Sequence, residues 1–177
     1  EVSGSIQGDQ NRKLSTRPKM DLDESKNYYK KISEMGKYLE DEGMPLAYHH
    51  HMGTVIESQE DTERLLENTH DSVKLTLDTG HMLFAQGDSK KIINDFNERL
   101  IHVHCKDIRK EVLENSLKND LSFRGAFLEG AFTVPGDGCI DYKPIFDILK
   151  EKKYSGWLVV EAEQDPVKAN PFEYAKK

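Results

Sequence analysis

Six of the seven histidines fall in three places: His49, His50 and His51 in a row, His81 shortly after Asp78, and His102 with His104. Each place follows a short apolar run or closes one, and a fourth run, Trp157–Val160, leads into Glu161 and Glu163. Imidazoles mixed with carboxylates suit Mn2+, Co2+, Fe2+ or Zn2+ rather than a thiolate-preferring ion. Asp78, His104 and Glu161, with a histidine from the first cluster, therefore form a candidate metal set. A single aspartate at a strand end is more often a turn former or a helix cap. Four such ends in succession shift the balance to one shared site. Alternation along a strand puts His49 and His51 on one face and His50 on the other, so one of the outer pair faces the site and His50 packs behind it. By the same alternation His102 and His104 share a face, with His102 the supporting residue.

Lys106 and Arg109 follow His104 closely. Beside a metal in a crowded polar site, a lysine pKa can fall far enough to move protons near neutrality, and an arginine can bind hydroxyls or a developing oxyanion. Both are candidates for catalysis and substrate binding, against the alternative of a solvated charged turn. His81, three residues after Asp78, reads as a substrate contact, with a cap of the next helix as the alternative. Cys105 and Cys139 lack any Cys-x-x-Cys or catalytic-cysteine context and read as packing residues.

Strand and helix must alternate to bring these ends together. From Asp23 to Glu42, Tyr28, Ile32, Met35, Tyr38 and Leu39 recur at helical spacing, and Gly43 marks a stop. Met44–Tyr48 reads as a strand running into the histidines. Ser58 or Asp61 caps a helix carrying Leu65 and Leu66, after which Val73–Leu77 alternates as a strand. A helix over Ser89–Phe96 precedes a strand over Leu100–His104. Residues 108–134 show only a weak helical stretch at Leu121–Glu129, and so long a connection suggests a lid. Pro135–Gly138 is a turn, Asp141 an N-cap, and Ile145, Phe146, Ile148 and Leu149 the face of a helix ending near Lys153. Trp157–Val160 is the last strand. Glu1–Ile6 reads as the end of a strand with nothing before it, which makes five strands.

Strands alternating with helices imply an α/β fold with a covered parallel sheet. No glycine-rich phosphate fingerprint follows any strand, which disfavours an open dinucleotide-binding sheet, whereas a (β/α)8 TIM barrel gathers all its strand C-termini at one mouth. The expectation is one domain over residues 1–177, the C-terminal portion of such a barrel with its first βα units missing. A length of 177 residues fits one domain. With 25 basic against 32 acidic residues, a net charge of −7 disfavours nucleic acid. No apolar run approaches the roughly 20 residues a bilayer needs, and no signal-peptide pattern opens the chain. Two cysteines suit a reduced, cytoplasmic setting.

These residues resemble the xylose-isomerase-like (β/α)8 barrels of sugar and polyol metabolism. That superfamily places Glu, Asp, His and Glu ligands at four successive strand ends. Asp78 in Leu-Asp-Thr-Gly-His, His104 in His-Val-His-Cys-Lys-Asp and Glu161 in Val-Val-Glu match three of them. The longer strings Ala47–Thr54, Val134–Gly138 and Gly156–Pro166 resemble the inosose dehydratase family within it. Where the first glutamate ligand would stand, this chain offers His49, with His51 as the alternative. The five strands would be the fourth to eighth of the barrel.

The resemblance implies metal-dependent dehydration of 2-keto-myo-inositol to a trihydroxycyclohexane-1,2-dione through an enediolate, in inositol catabolism. It implies Mn2+ or Co2+ as the ion, glutathione as an accessory, and a small polyol ketone as partner, and it leaves a homo-oligomer open. The chemistry asks for a Lewis acid on the oxygens, a base for the proton alpha to the carbonyl, and an acid for the departing hydroxide. Glu161, His51 and Lys106 are the candidate proton carriers, with Lys106 or Arg109 assisting an oxyanion or leaving group. A metal-dependent ketose epimerase or isomerase is the second reading, and a noncatalytic sugar-binding protein the third. Barrel endonucleases are disfavoured by the net charge.

Overall fold

Capping residues decide where the helices begin. In this computed structural model, which describes residues 4–177, Asp21 caps helix α1 (Leu22–Asp41) by accepting from the N–H groups of Asp23 and Glu24, and Glu24 returns a bond to the cap's own N–H. Ser58 makes the same reciprocal box with Asp61 at the start of α2 (Gln59–Asn68), so Ser58 is the cap and Asp61 its partner. Caps of this kind contribute about 0.5–2 kcal/mol each. Of the stripe expected on α1, Tyr28, Ile32 and Leu39 are half-buried beside buried Tyr29 and Gly36, while Met35 and Tyr38 are exposed. The reason is a close approach to the sheet, since a Cβ on Gly36 would lie 2.9 Å from Val73 Cγ2.

Strands β1 (Leu46–His49), β2 (Val73–Asp78) and β3 (Leu100–Cys105) run parallel, with α3 (Thr79–Phe84) and α4 (Ser89–Phe96) between the last two. A short antiparallel pair, β4 (Asp107–Ile108) and β5 (Phe132–Thr133), brackets α5 (Lys110–Lys118) and α6 (Phe123–Leu128). Helix α7 (Tyr142–Glu151) leads to β6 (Trp157–Val160), which pairs with β3, and α8 (Pro171–Tyr174) follows. The main sheet thus reads β1-β2-β3-β6, four parallel strands among the described residues rather than five. Of the expected opening strand, residues 1–3 lie outside the described residues, and Gly4–Ile6 takes a turn and an irregular path.

Alternation sorts the two faces of the sheet. Leu75, Leu77, Val103 and Cys105 pack against Leu66, Ile92, Ile93, Ile145 and Leu149 from α2, α4 and α7. The opposite face carries Thr76 and Asp78 beside His102 and His104. Residues 108–134 do not form a lid: Phe123, Ala126 and Phe132 are fully buried with Phe84 and Ile108 in a second core. The chain near Leu14 ties this segment down, its N–H donating to Leu121 O at 3.0 Å. Among the described residues, strands β1 and β6 each pair on one side only, and on β6 Trp157 is 74% and Val160 63% exposed. Among the described residues no helix is long and apolar enough to cross a membrane.

Arg99 anchors the end of the sheet remote from the strand C-termini. Its buried guanidinium donates to the carbonyls of Val73, Leu66 and His70 and to Thr69 Oγ1, and pairs with Asp71. Arg99→Lys keeps the charge but not the planar fork, and should lower stability by about 1.5–3 kcal/mol in urea unfolding. An unchanged midpoint would show that the fork contributes nothing.

Candidate functional site

Parallel register delivers the strand ends to one place. Asp78 stands opposite His104, His49 opposite Thr76 one pleat earlier, and beyond β6 the Glu161 N–H donates to Cys105 O at 3.3 Å. Asp78 works in two directions. Its Oδ1 accepts from the His81 N–H at 2.8 Å and so caps α3, which leaves Oδ2 facing the site. That oxygen lies 3.6 Å from His49 Nε2, 3.4 Å from His104 Nδ1 and 3.3 Å from Lys106 Nζ. Glu161 Oε2 lies 2.6 Å from His104 Nδ1.

His49 Nε2 and Asp78 Oδ2 are buried without an aligned hydrogen bond, and His104 Nδ1 meets only the carboxylates of Asp78 and Glu161. Buried polar atoms are rarely left so, because each costs about 1–3 kcal/mol. These three also offer donor atoms within 4.8 Å of one another. Tetrahedral ligands at bonds of about 2.1 Å stand about 3.4 Å apart, close to the spacing found here. The residues present fit a divalent ion. His49, not His51, completes this set.

Charge in the site follows from burial and neighbours. Burial works against ionising Asp78, but His81, His104, His49 and Lys106 outweigh it and hold the carboxyl well below its ordinary value. Glu161 is likewise opposed by burial, yet His104 and Lys106 bring it down to about 2. Asp78 and Glu161 in turn push His104 up to about 9. A bound divalent ion would take the place of that proton.

Lys106 is fully buried. Its Nζ lies 2.8 Å from Glu161 Oε1, 3.2 Å from Glu163 Oε2 and 3.1 Å from His81 Nε2. Burial disfavours the ammonium, but Asp78, Glu163 and Glu161 outweigh it and raise the pKa. In the ion-free site the amine is thus held charged, because three carboxylates surround it. Thr79 steers its backbone, accepting from the Lys106 N–H at 3.1 Å and donating to Lys106 O at 2.9 Å, with Tyr142 Oη at 2.9 Å. Gly80 makes room for the stem, since a Cβ there would lie 2.9 Å from Lys106 Cγ. Gly80→Ala should cost about 1–3 kcal/mol through overpacking, read as a lower urea midpoint. A midpoint equal to the parent's would mean that Lys106 has slack.

A second group stands beside the first. His51, His81 and Glu163 offer donor atoms within 4.8 Å of one another. The His51 and His81 rings lie 3.7 Å apart between centroids and rest on Phe123, and His81 also meets Phe132. His51 Nδ1 bonds Met52 O at 2.8 Å, which fixes the tautomer and leaves Nε2 its lone pair. Burial lowers His51 to about 4 and His81 well below its ordinary value, and it raises Glu163. His50 packs as expected, its Nε2 accepting from the Asp78 N–H at 3.1 Å.

Seven of the eight candidate residues, His49, His51, Asp78, His81, His104, Lys106 and Glu161, thus share one constellation. Arg109 does not join them. Its guanidinium donates to Gly130 O, Phe132 O, Thr133 Oγ1 and Tyr174 Oη and pairs with Asp137 at 2.9 Å. The expected oxyanion or substrate role gives way to a brace between β4 and the loop after β5. Glu163 stands out in the structure, although its strand-end position was the only signal for it. Phe123 and Phe132 gave none, because an aromatic floor has no local pattern.

The family model for the xylose isomerase-like TIM barrel matches residues 3–177. An inosose dehydratase of Clostridium beijerinckii is 50% identical over 147 residues, covering 82% of this chain and 49% of that protein. The rhizopine catabolism protein MocC of Rhizobium meliloti is 45% identical, covering 92% of this chain and 50% of its own. An inosose dehydratase of Glaesserella parasuis is 43% identical, covering 100% and 60%. The chain therefore spans about half the length of the curated relatives it matches. Among solved structures, the probable 3-DHS dehydratase AsbF of Bacillus anthracis superposes with a TM-score of 0.67 at 15% identity, covering 92% of this chain and 57% of that one. The IOLI protein with a bound zinc atom superposes at 0.64 and 21% identity, covering 90% and 53%.

Proposed function

Because the chain belongs to the xylose isomerase-like TIM barrel family, we propose that it carries the metal site of an inosose dehydratase, which removes water from 2-keto-myo-inositol to leave a trihydroxycyclohexane-1,2-dione. The observation that carries this reading is the convergence of His49 Nε2, Asp78 Oδ2 and His104 Nδ1 on one point. Identity of 43–50% to inosose dehydratases supports the substrate.

A Mn2+ or Co2+ ion held by His49, Asp78, His104 and Glu161 would polarise the ketone and its neighbouring hydroxyl. The protein's own groups do the rest. His51 takes the proton alpha to the carbonyl, since Nδ1 is committed to Met52 O and burial keeps the ring neutral. Glu161 is the poorer base, held ionised and occupied by His104 and Lys106. The Lys106 ammonium, its donors held by His81, Glu161 and Glu163, acts through its positive field on the oxygen where negative charge develops. His81 lines the substrate beside it. The proton taken from one carbon and the hydroxyl lost from the next together make the released water, and the enol left behind becomes the dione. Arg109 takes no part.

The partner is a free polyol ketone in a cytoplasmic setting, which the two free cysteines suit. Incubation with an inosose, Mn2+ or Co2+, and glutathione as accessory should give rising dione absorbance. An epimerase would consume or interconvert the ketone without that signal. Bound ion with no growth of absorbance would overturn the dehydratase reading.

A further inference from the structure

The constellation holds two ligand groups that differ in how Lys106 engages them. In the first, no aligned hydrogen bond occupies His49 Nε2 or Asp78 Oδ2, and the Lys106 ammonium touches the group at Asp78 Oδ2 alone, at 3.3 Å. In the second, the Lys106 ammonium already sits 3.1 Å from His81 Nε2 and 3.2 Å from Glu163 Oε2. With Glu161 Oε1 at 2.8 Å, all three of its N–H donors are used. Charge tells the same story. Asp78, Glu161 and Glu163 supply three negative charges, which one divalent ion and one ammonium balance. A second divalent ion beside Lys106 would leave two uncompensated positive charges in a buried site, which is strongly unfavourable.

We propose that Lys106 is a built-in substitute for a second metal ion, so that the site takes one divalent ion in the native chain and two once the ammonium is removed. The second ion would bind His51, His81 and Glu163. This rests on the reading that His49, Asp78 and His104 bind the first. Imidazole and carboxylate make that second set suitable for the same class of ion, Mn2+, Co2+ or Zn2+. Lys106 thereby sets the number of ions, and it keeps His51 free of metal for proton transfer.

The test is ion stoichiometry, measured by equilibrium dialysis against Zn2+ or Mn2+ alone with elemental analysis. The native chain should retain one ion, Lys106→Met two, and Lys106→Met with Glu163→Gln one again. Lys106→Met keeps most of the buried stem, and Lys106→Gln serves as a second neutral variant. Divalent ion should raise the melting temperature of either variant more than that of the native chain, because three carboxylates there await a cation. In the native chain Glu163→Gln should leave one ion bound, a measurement that needs no Lys106 variant. One ion in both native and neutral variants, or two in the native chain, would overturn the proposal while leaving the metal reading intact. Loss of the native ion in Glu163→Gln would overturn it equally. No ion in the native chain would overturn both.

Discussion

Asp78→Asn should abolish retention of the divalent ion and, with it, turnover. The substitution keeps the shape, and the amide oxygen can still accept from the His81 N–H, so α3 keeps its cap. What disappears is the anion that meets His49 Nε2 at 3.6 Å, His104 Nδ1 at 3.4 Å and Lys106 Nζ at 3.3 Å. Loss of an outer partner to a metal ligand costs roughly 10–100-fold in affinity or activity, and loss of a central charged ligand should exceed that. Glu161 and Glu163 continue to neutralise Lys106, so circular dichroism should show a folded chain. Full ion content and full activity in Asp78→Asn would remove the basis of the proposed function.

The largest effect on stability should come from Asp107, which binds no ion. Its buried carboxylate accepts from four backbone N–H groups, those of Ile108 and Ile140 at Oδ1 and those of Gly136 and Gly138 at Oδ2, at 2.8–3.2 Å. Asp107→Ala leaves these donors facing one another. At about 1–3 kcal/mol for each one that finds no water, the loss should reach about 3–5 kcal/mol. For a chain of this size that lowers the melting temperature by about 10 °C. In the parent the loop closes on the carboxylate only because Gly138 has no Cβ, which would collide with Asp107 Oδ1. Calorimetry checks it, and ion content measured in the cold should be unaffected. A melting temperature within about 2 °C of the parent would mean that water replaces the carboxylate fully.

These two aspartates differ in how visible they were. Asp78 announced itself by ending an alternating strand just ahead of a helix. Asp107 stands one residue after Lys106 in what reads as a charged turn, and only the folded loop reveals the four donors around it. Arg109 looked equally chemical, but its fork is taken up by carbonyls near Gly130 and Phe132 that lie 21 and 23 residues away in the chain. Helix α1 shows the same limit. Its period was legible, yet Gly36, a residue with no hydrophobic weight, decides which face meets Val73.

Local rules therefore carried much of the architecture. Alternation, capping and turn residues act over two to four positions, so the amino-acid sequence by itself determined the order of the four sheet strands and of the helices α1, α2, α4, α6 and α7. It also determined that imidazoles and carboxylates end those strands. Folding in three dimensions decided the rest: that His49 rather than His51 joins Asp78 and His104, that Lys106 is held charged among carboxylates, and that residues 108–134 pack as core. Each of those outcomes depends on ångström-scale distances between segments far apart in the chain, and on the burial that sets the cost of an unpaired charge. No spacing along one strand encodes either.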